Sequence, residues 1–575
     1  MDYRASIVRW LADETGVLSE QIDDWLEIPP QPELGDFALP CFQLARSLHK
    51  APLAIAKELA EQASVYLDRK IQVQVVGGYL NFFIDRASYI SHVVTKTLKA
   101  GEQLGVSDEG EGKTVIVEFS SPNIAKPFHV GHAFTTILGH ALYRLYDRLG
   151  YRVVRMNHLG DYGTQFGKLI VAYRLWGDET ALQHEPINEL LRIYVRFHDE
   201  AKDRPELESE ARQAFRKLEA GEKAEKELWQ RFKDLSLQEF SAVYQRLGVE
   251  FDNYNGESFY SDRIPEVVDL LRRQGLLVES EGAQIVPLEE YDLPPCIVIK
   301  SDGTTIYASR DLAAVLYRIE RYQFFKNIYV VGSPQALHFR QVFAVLDKAG
   351  IPEAKNCVHV GFGLVKFPDR KLSTRSGDVI LLSDLLNESV EKTLTTIREN
   401  AQIRQTDMSE EEMQSIAEKI GLSAVIYTFL RNSRERDIVF SWDEMLDFDG
   451  DSAPYVQYTY ARARSILRKA EEAGLLSKQI ESPAVLDHDD EFALAKLLDG
   501  FTEAIRRAVA LNEPYILVRQ VTSLARTFNK YYNSESILGT ADPVVRAARL
   551  RLLQAVCLGI RTGLDLVGIT AVERM

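Results

Sequence analysis

The chain has 575 residues, enough for about three or four domains of ordinary size. Apolar residues make up 46% and charged residues 26%, globular values that exclude a disordered or fibrous chain. With 68 Lys and Arg against 84 Asp and Glu the net charge is −16, which argues against indiscriminate binding to polyanions, and the scattered Cys41, Cys296, Cys357 and Cys557 argue against a zinc cluster or a disulfide scaffold.

The first residues carry no apolar leader, and no run reaches the roughly 18 apolar residues of a membrane span, so a soluble, cytoplasmic protein is expected. Residues 1–110 mix amphipathic helix with a short strand pair and close on the glycine-punctuated stretch 101–110, which reads as the end of a first, α+β domain. From residue 111 strand and helix alternate. Val115-Ile116-Val117-Glu118-Phe119 is a buried-type strand, and Phe134, Ile137, Leu138, Ala141, Leu142, Leu145 and Leu149 recur at spacings of three and four, with Gly150 suited to end that helix. Residues 151–156 return as a strand, and a charge-rich helical insertion occupies about 176–250.

The alternation then resumes. Residues 328–332 form a strand, Ser333-Pro334 opens a helix through His338, Val342, Leu346 and Ala349, and 357–365 is a further strand. Strands alternating with helices predict a Rossmann-type, doubly wound parallel sheet over 111–385, an α/β fold. No strand is expected beyond Asp384. Residues 386–450 read as a helical connection and 451–575 as an all-α domain, its clearest helix beginning with Asp542 as N-cap and Pro543 at the first position.

Two stretches carry chemistry. His129-Val130-Gly131-His132 starts the helix after the first strand of the sheet, where unpaired helix N–H groups suit a phosphate and Gly131 admits a flat ligand. By itself such a pair also fits plain helix capping. Lys371-Leu372-Ser373-Thr374-Arg375-Ser376-Gly377 follows a sheet strand, and its small and basic residues suit closure over a polyphosphate, although alone it fits a solvated loop equally. No third ligand accompanies the two histidines, so no protein-bound metal is expected. The acidic string at 447–451 has its glycine too early for a calcium loop and reads as a turn.

Together these motifs resemble the HIGH and KMSKS signatures of class I aminoacyl-tRNA synthetases. Residues 120–132, His158-Leu159-Gly160-Asp161-Tyr162-Gly163, Tyr307-Ala308-Ser309-Arg310-Asp311-Leu312, Ser452-Ala453-Pro454-Tyr455-Val456-Gln457-Tyr458 and the closing Glu573-Arg574-Met575 are similar to the arginyl branch of that family. Val130 stands where isoleucine is usual, Leu372 replaces methionine, and Thr374-Arg375 stands where the general class has Lys-Ser.

The resemblance implies formation of arginyl-adenylate from L-arginine and ATP, then transfer to the 3′-terminal adenosine of the cognate tRNA. It also implies that activation itself needs tRNA. His129 and His132 would contact phosphate and adenosine together with Gly131, Lys371 would meet charge developing on the pyrophosphate, and Ser373 would complete the ATP site. Magnesium would arrive on ATP phosphates, without zinc.

A guanidinium, planar and permanently charged, calls for a carboxylate, and Asp311 is the candidate, expected in the turn before a helix over 312–322 with Tyr307 on the same side. An N-cap role fits that position too. Ser121, Asn123, Gln335 and His132 would serve the α-amino and carboxylate end, and Glu118 is balanced between substrate contact and a structural hydrogen bond.

For tRNA the resemblance assigns the N-terminal domain to the elbow, through Asn81 and Phe82. It assigns the C-terminal domain to the anticodon, where Tyr455, Tyr458 and Arg462 share a helix face with rings to stack on bases; a tyrosine stripe packed as core is the rival. Residues 451–575 hold 16 Lys and Arg against 15 Asp and Glu, so the acidic excess lies elsewhere and a local basic face remains available to one shaped polyanion. A monomer is expected. A synthetase-derived protein that binds without aminoacylating, or a small-molecule nucleotidyltransferase, is the competing reading; the complete residue set argues against the first and the large outer domains against the second.

Overall fold

A computed structural model describes residues 3–29, 31–67, 71–366, 380–404, 408–476 and 480–575. The chain divides into two compact units. One comprises 1–104, 463–500 and 523–559, the other 105–462, 501–522 and 560–575.

In the first unit β1 (Phe37–Pro40), β2 (Ile71–Val76) and β3 (Tyr79–Ile84) form an antiparallel sheet in the order β1-β3-β2. The β2–β3 hairpin turns on Gly77-Gly78, with Gly77 at φ 60°, the left-handed region glycine enters without a Cβ penalty. Helix Pro52–Tyr66 packs on β2 and β3, and helix Arg86–Ala100 is capped by Asp85, whose carboxylate accepts from the Ser88 N–H at 2.8 Å.

The second unit contains the expected parallel sheet. β4 (Thr114–Glu118) and β5 (Arg152–Met156) pair in register from Thr114–Arg152 to Glu118–Met156. After β6 (Val278–Ser280), β7 (Ala283–Val286) and β8 (Cys296–Ile299), a small antiparallel sheet, the main sheet continues with β9 (Lys326–Val330) and β10 (Cys357–Val360). Its order is β10-β9-β4-β5, every pairing parallel. Val115, Ile116 and Val117 are fully buried because helices cover both faces, so consecutive rather than alternate residues are apolar. The chain leaves β4 for β5 on one side, while β9 flanks the other; the C-terminal ends of β4 and β9 thus form the switch point where such sheets hold ligands.

Three helices frame that point: α1 (Val130–Arg148) after β4, α2 (Tyr307–Tyr322) before β9, and α3 (Ala336–Lys348) after β9. The α1 stripe is buried as patterned, and Gly139 lets the helix close on Phe119, whose Cβ would lie 2.2 Å from any added Cβ. Helices between Glu179 and Leu247 form the insertion, with Leu190, Ile193, Phe197, Leu207 and Phe232 in its core.

Four expectations need correction. Asp311 lies in the second turn of α2, which begins at Tyr307, so it is not an N-cap. The helix after β9 begins with a 3-10 turn, Ser333–Gln335, before α3. The strand expected over 357–365 breaks at Gly361 and restarts as β11 (Val365–Lys366). That fragment pairs in parallel with β12 (Ile438–Val439), a strand beyond Asp384 too short to show a periodic pattern.

Candidate active site

The loop from β4 to α1 is strained. Ser120, Ser121 and Ala125 have φ of 68°, 47° and 59°, a left-handed backbone that costs an L-residue roughly 1–2 kcal/mol each. A hydrogen-bond network holds it. Ser120 Oγ meets the Tyr244 hydroxyl at 2.7 Å and accepts from Thr136 Oγ1 at 2.9 Å, while its N–H donates to Thr135 Oγ1 at 3.0 Å. Thr135 in turn donates to the Val330 carbonyl at 2.6 Å, tying the loop to β9. Asn123 bridges to Gly160, where an added Cβ would approach Asn123 Oδ1 to 2.2 Å, so only glycine fits. Asp161, fully buried, pairs with Lys233 at 2.7 Å and accepts from Ser258; it fixes the segment beside Asn123.

His129 is the N-cap of α1 and His132 the third helical residue, and they are held reciprocally. His129 Nδ1 accepts from the Gly131 N–H at 3.0 Å, and His132 Nδ1 accepts from the His129 N–H at 3.2 Å. Nδ1 of each ring is therefore spent on backbone, which leaves the proton on Nε2, free to donate. The rings lie 4.0 Å apart, and Phe128 stacks on His132 at 5.2 Å. Burial, then the neighbouring His129, pushes His132 down to about 3; burial and then Lys126 lower His129. At neutral pH the pair is uncharged. Lys126, overlooked in the sequence, is lowered by burial, and among the described residues no carboxylate pairs with it.

The second signature, with Lys371 and Ser373, lies outside the described residues. Its downstream flank is tied to the first: the Val130 N–H donates to the Ile380 carbonyl at 3.1 Å and the Leu382 N–H to the Phe128 carbonyl at 2.9 Å. Upstream, β11 is held by β12 and by the Lys366–Asp437 pair at 2.7 Å.

Across the switch point the charge pattern inverts. Asp311 is partly buried, and His338 on the first turn of α3 contacts it at 2.5 Å, Nε2 to Oδ2. Burial raises the Asp311 pKa, but the hydrogen bond and charge of His338, with His158 and Arg318 behind, outweigh it and leave the carboxylate below its ordinary value. Tyr307, one turn earlier, is 58% exposed and borders a cavity of about 260 Å³ with Tyr162, Thr304 and Arg310. The Arg310 guanidinium stacks 4.9 Å from the Tyr307 ring and pairs with Glu257 at 3.1 Å.

Burial, reinforced by Asp311 and Asp161 against the pull of Arg310, pushes Glu257 up to about 8, so it is largely protonated at neutral pH. Gln335 stands exposed in the 3-10 turn before α3, while Ser121 and Asn123 occupy the β4 loop on the adjacent strand. Glu118 closes a buried pair with Arg318, and His158 lies 4.0 Å away.

Of the remaining candidates, Tyr455, Tyr458 and Arg462 are half-exposed on one face of helix Ala453–Glu472, with the Arg462 guanidinium 4.8 Å from the Tyr458 ring. Tyr458 and Arg462 line a cleft of about 380 Å³ with Phe448, Asp449 and Met575. Asn81 and Phe82 do not reach the surface: at 3% and 0% exposure they are core residues of the antiparallel sheet, so neither side chain is placed for the partner contact expected of it. The exposed aromatics there are Phe42 and Tyr79, packed edge to face at 5.7 Å.

Residues 93–442 match the profile described as tRNA synthetases class I (R), catalytic domain; residues 456–575 match the DALR anticodon binding domain, and 2–84 the arginyl tRNA synthetase N terminal domain. An arginine–tRNA ligase of Clostridium perfringens is 52% identical over 576 residues, with all of both chains covered. Among solved structures, the arginyl-tRNA synthetase of Thermus thermophilus superposes with a TM-score of 0.80 at 25% identity, covering 100% of each chain. That of Plasmodium falciparum shares the fold, with a TM-score of 0.77 at 22% identity over 99% of each.

Proposed function

The chain belongs to the class I arginyl-tRNA synthetases, ligases that join L-arginine to tRNA at the expense of ATP, and from that premise we propose how its residues divide the reaction. The observation that carries the division is the inverted charge pattern: neutral donors and Lys126 in the loop between β4 and α1, an ionised carboxylate across the switch point.

Activation brings two anions together, the arginine carboxylate and the ATP α-phosphate, so it depends on positioning and on charge stabilisation rather than on a protein nucleophile. His129 and His132 donate through Nε2 to phosphate oxygens and to the adenosine, and Gly131 lets the nucleotide approach the backbone. Being neutral, the two imidazoles lose no strength to desolvation when the site closes. Lys126 adds a buried positive charge beside them. Lys371 meets the departing pyrophosphate and Ser373 supports it. Magnesium enters on ATP phosphates.

At the far end Asp311 takes the guanidinium and Tyr307 covers it, with the protonated Glu257 beside them as a second oxygen-bearing wall. Ser121, Asn123, His132 and Gln335 hold the α-amino and carboxylate groups between the two ends. Such a site rejects lysine and neutral isosteres by leaving the buried carboxylate badly paired.

For tRNA, Tyr455, Tyr458 and Arg462 meet the anticodon arm along their shared face, and Phe42 with Tyr79 takes the elbow contact that Asn81 and Phe82 cannot make. The domains are 1–110 for the elbow, 111–385 for catalysis, 386–450 as connection and 451–575 for the anticodon. The protein works as a cytoplasmic monomer; among the described residues no helix is long and apolar enough to cross a membrane.

Arginine-dependent pyrophosphate exchange tests the division. Exchange is expected only with tRNA present, His129→Ala is expected to act on kcat and the ATP KM, and Asp311→Asn on the arginine KM. Exchange absent with and without tRNA, or the two variants shifting the same constants, would contradict it.

A further inference from the structure

We propose that His338 is a positioning residue for amino-acid selection, holding the Asp311 carboxylate in the plane that a guanidinium fork requires. The inference rests on the assignment of Asp311 to the guanidinium and goes beyond it in naming what orients that carboxylate.

Asp311 lies inside α2, where the N–H groups of the helix are already engaged, so the backbone offers its carboxylate no donor that would fix the side-chain torsions. The donor it has comes from a different element: His338, at the first turn of α3, reaches Asp311 Oδ2 at 2.5 Å, and both side chains are mostly buried. His338 is also one turn along from Gln335, proposed for the other end of the amino acid. One short helix start therefore bears on both ends of the substrate.

The carboxylate has other attractions. His158 and Arg318 both act on its charge, and Arg318 already serves Glu118. A bond to His338 at one oxygen decides which way the group faces. Because a carboxylate offers about four acceptor sites, one taken by His338 leaves room for the two parallel N–H groups of an incoming guanidinium.

The consequence is selective. A bidentate fork depends on the plane of the carboxylate, whereas the ammonium of lysine is a point charge indifferent to it. Losing His338 should therefore weaken arginine more than lysine. A group that only filled space would change both equally or change only stability.

The test uses the full-length enzyme in tRNA-supported pyrophosphate exchange, with His338→Leu, which removes the donor, and His338→Gln, which keeps one. Asp311→Asn and the double variant Asp311→Asn/His338→Leu complete the set. His338→Leu should raise the arginine KM about tenfold or more, leave the ATP KM unchanged, and alter inhibition by lysine less than about twofold. His338→Gln should recover part of the loss, and the double variant should be no worse than Asp311→Asn, since His338 acts through that carboxylate. Should the leucine variant fail to fold, His338→Gln and Asp311→Asn/His338→Gln carry the same comparison. A wild-type arginine KM in the His338 variants beside a damaged Asp311→Asn, equal damage from leucine and glutamine, or additive losses in the double variant would overturn the inference. Wild-type behaviour in Asp311→Asn would instead overturn the guanidinium assignment itself.

Discussion

The two ends of the candidate site meet one physical problem, the burial of ionisable groups, and resolve it in opposite ways. After β4 the histidines give up their charge: His132 is driven down to about 3, and both rings accept a backbone N–H at one nitrogen, leaving the proton on the other. On α2 the carboxylate keeps its charge, because His338 and the cations behind it outweigh the cost of burial, while its neighbour Glu257 yields and takes a proton. On the proposed division of the site the contrast follows from the ligands. An anionic triphosphate can be met by neutral donors and one lysine, but a guanidinium has only donors and cannot be held without an anion.

The largest effect that sharpens this comparison is expected at Asp311. Asp311→Asn keeps the shape and removes the charge, and should lower kcat/KM for arginine about 10²–10³-fold with a near-native melting temperature, since stripping one partner from a desolvated charge pair costs about 2–5 kcal/mol. Unchanged kinetics would sink the assignment. Next in size, His132→Ala should reduce kcat for adenylate formation about 10²-fold, the scale of losing one preorganised donor. With the His132 pKa near 3, wild-type kcat should show no protonation step from that group between pH 8 and 5; an activity loss centred near 6.5 that His132→Ala abolishes would break the picture of a neutral pair.

Lys126→Ala should raise the ATP KM about tenfold and leave the arginine KM alone, on the scale of one charge-assisted hydrogen bond. The smallest effect is a pH signature. Glu257 binds a proton more tightly in the folded chain, with a pKa raised from 4.5 to about 8, so between those values the folded state holds a proton that the unfolded state lacks. Its contribution is fully present below about 4.5 and is lost as pH rises toward 8. The melting temperature of the wild type should thus fall relative to Glu257→Gln across that window; a constant difference between the two would show that Glu257 is ionised throughout.

The parts legible in the sequence are those written in short range. Three consecutive β residues, Val115-Ile116-Val117, announce a strand covered on both faces, and the stripe from Phe134 to Leu149 announces α1. The histidine pair declares itself because two histidines three apart at a helix start cap it reciprocally. What stayed hidden depends on partners far along the chain. His338 looks like one more face residue of a helix until folding sets it against Asp311, 27 residues earlier. Glu257 and Arg310 meet only through the packing of separate elements, and Lys126 gains its meaning from burial, which no local pattern displays.

The misplacement of Asp311 has a similar origin. No Ser, Asp or Asn occupies the N-cap position of α2, so the helix was expected only from Leu312 with Asp311 in the turn before it, whereas it begins four residues before Asp311, at Tyr307. The burial of Asn81 and Phe82 was hidden as well: the resemblance marks the strand, while alternation along β3 does not say which of its residues the sheet buries, and Leu80, Asn81 and Phe82 are all buried.

Calorimetric titration of L-arginine and of its neutral isostere citrulline, into wild type and Asp311→Asn with tRNA and an ATP analogue that cannot be cleaved between its α- and β-phosphates present at equal concentrations, tests the division of the site most directly. The wild type should prefer arginine by at least about 100-fold, the scale set by one unmet buried carboxylate, and Asp311→Asn should bring the two ligands within about tenfold of each other. An Asp311→Asn variant that still prefers arginine as strongly as the wild type would contradict the account.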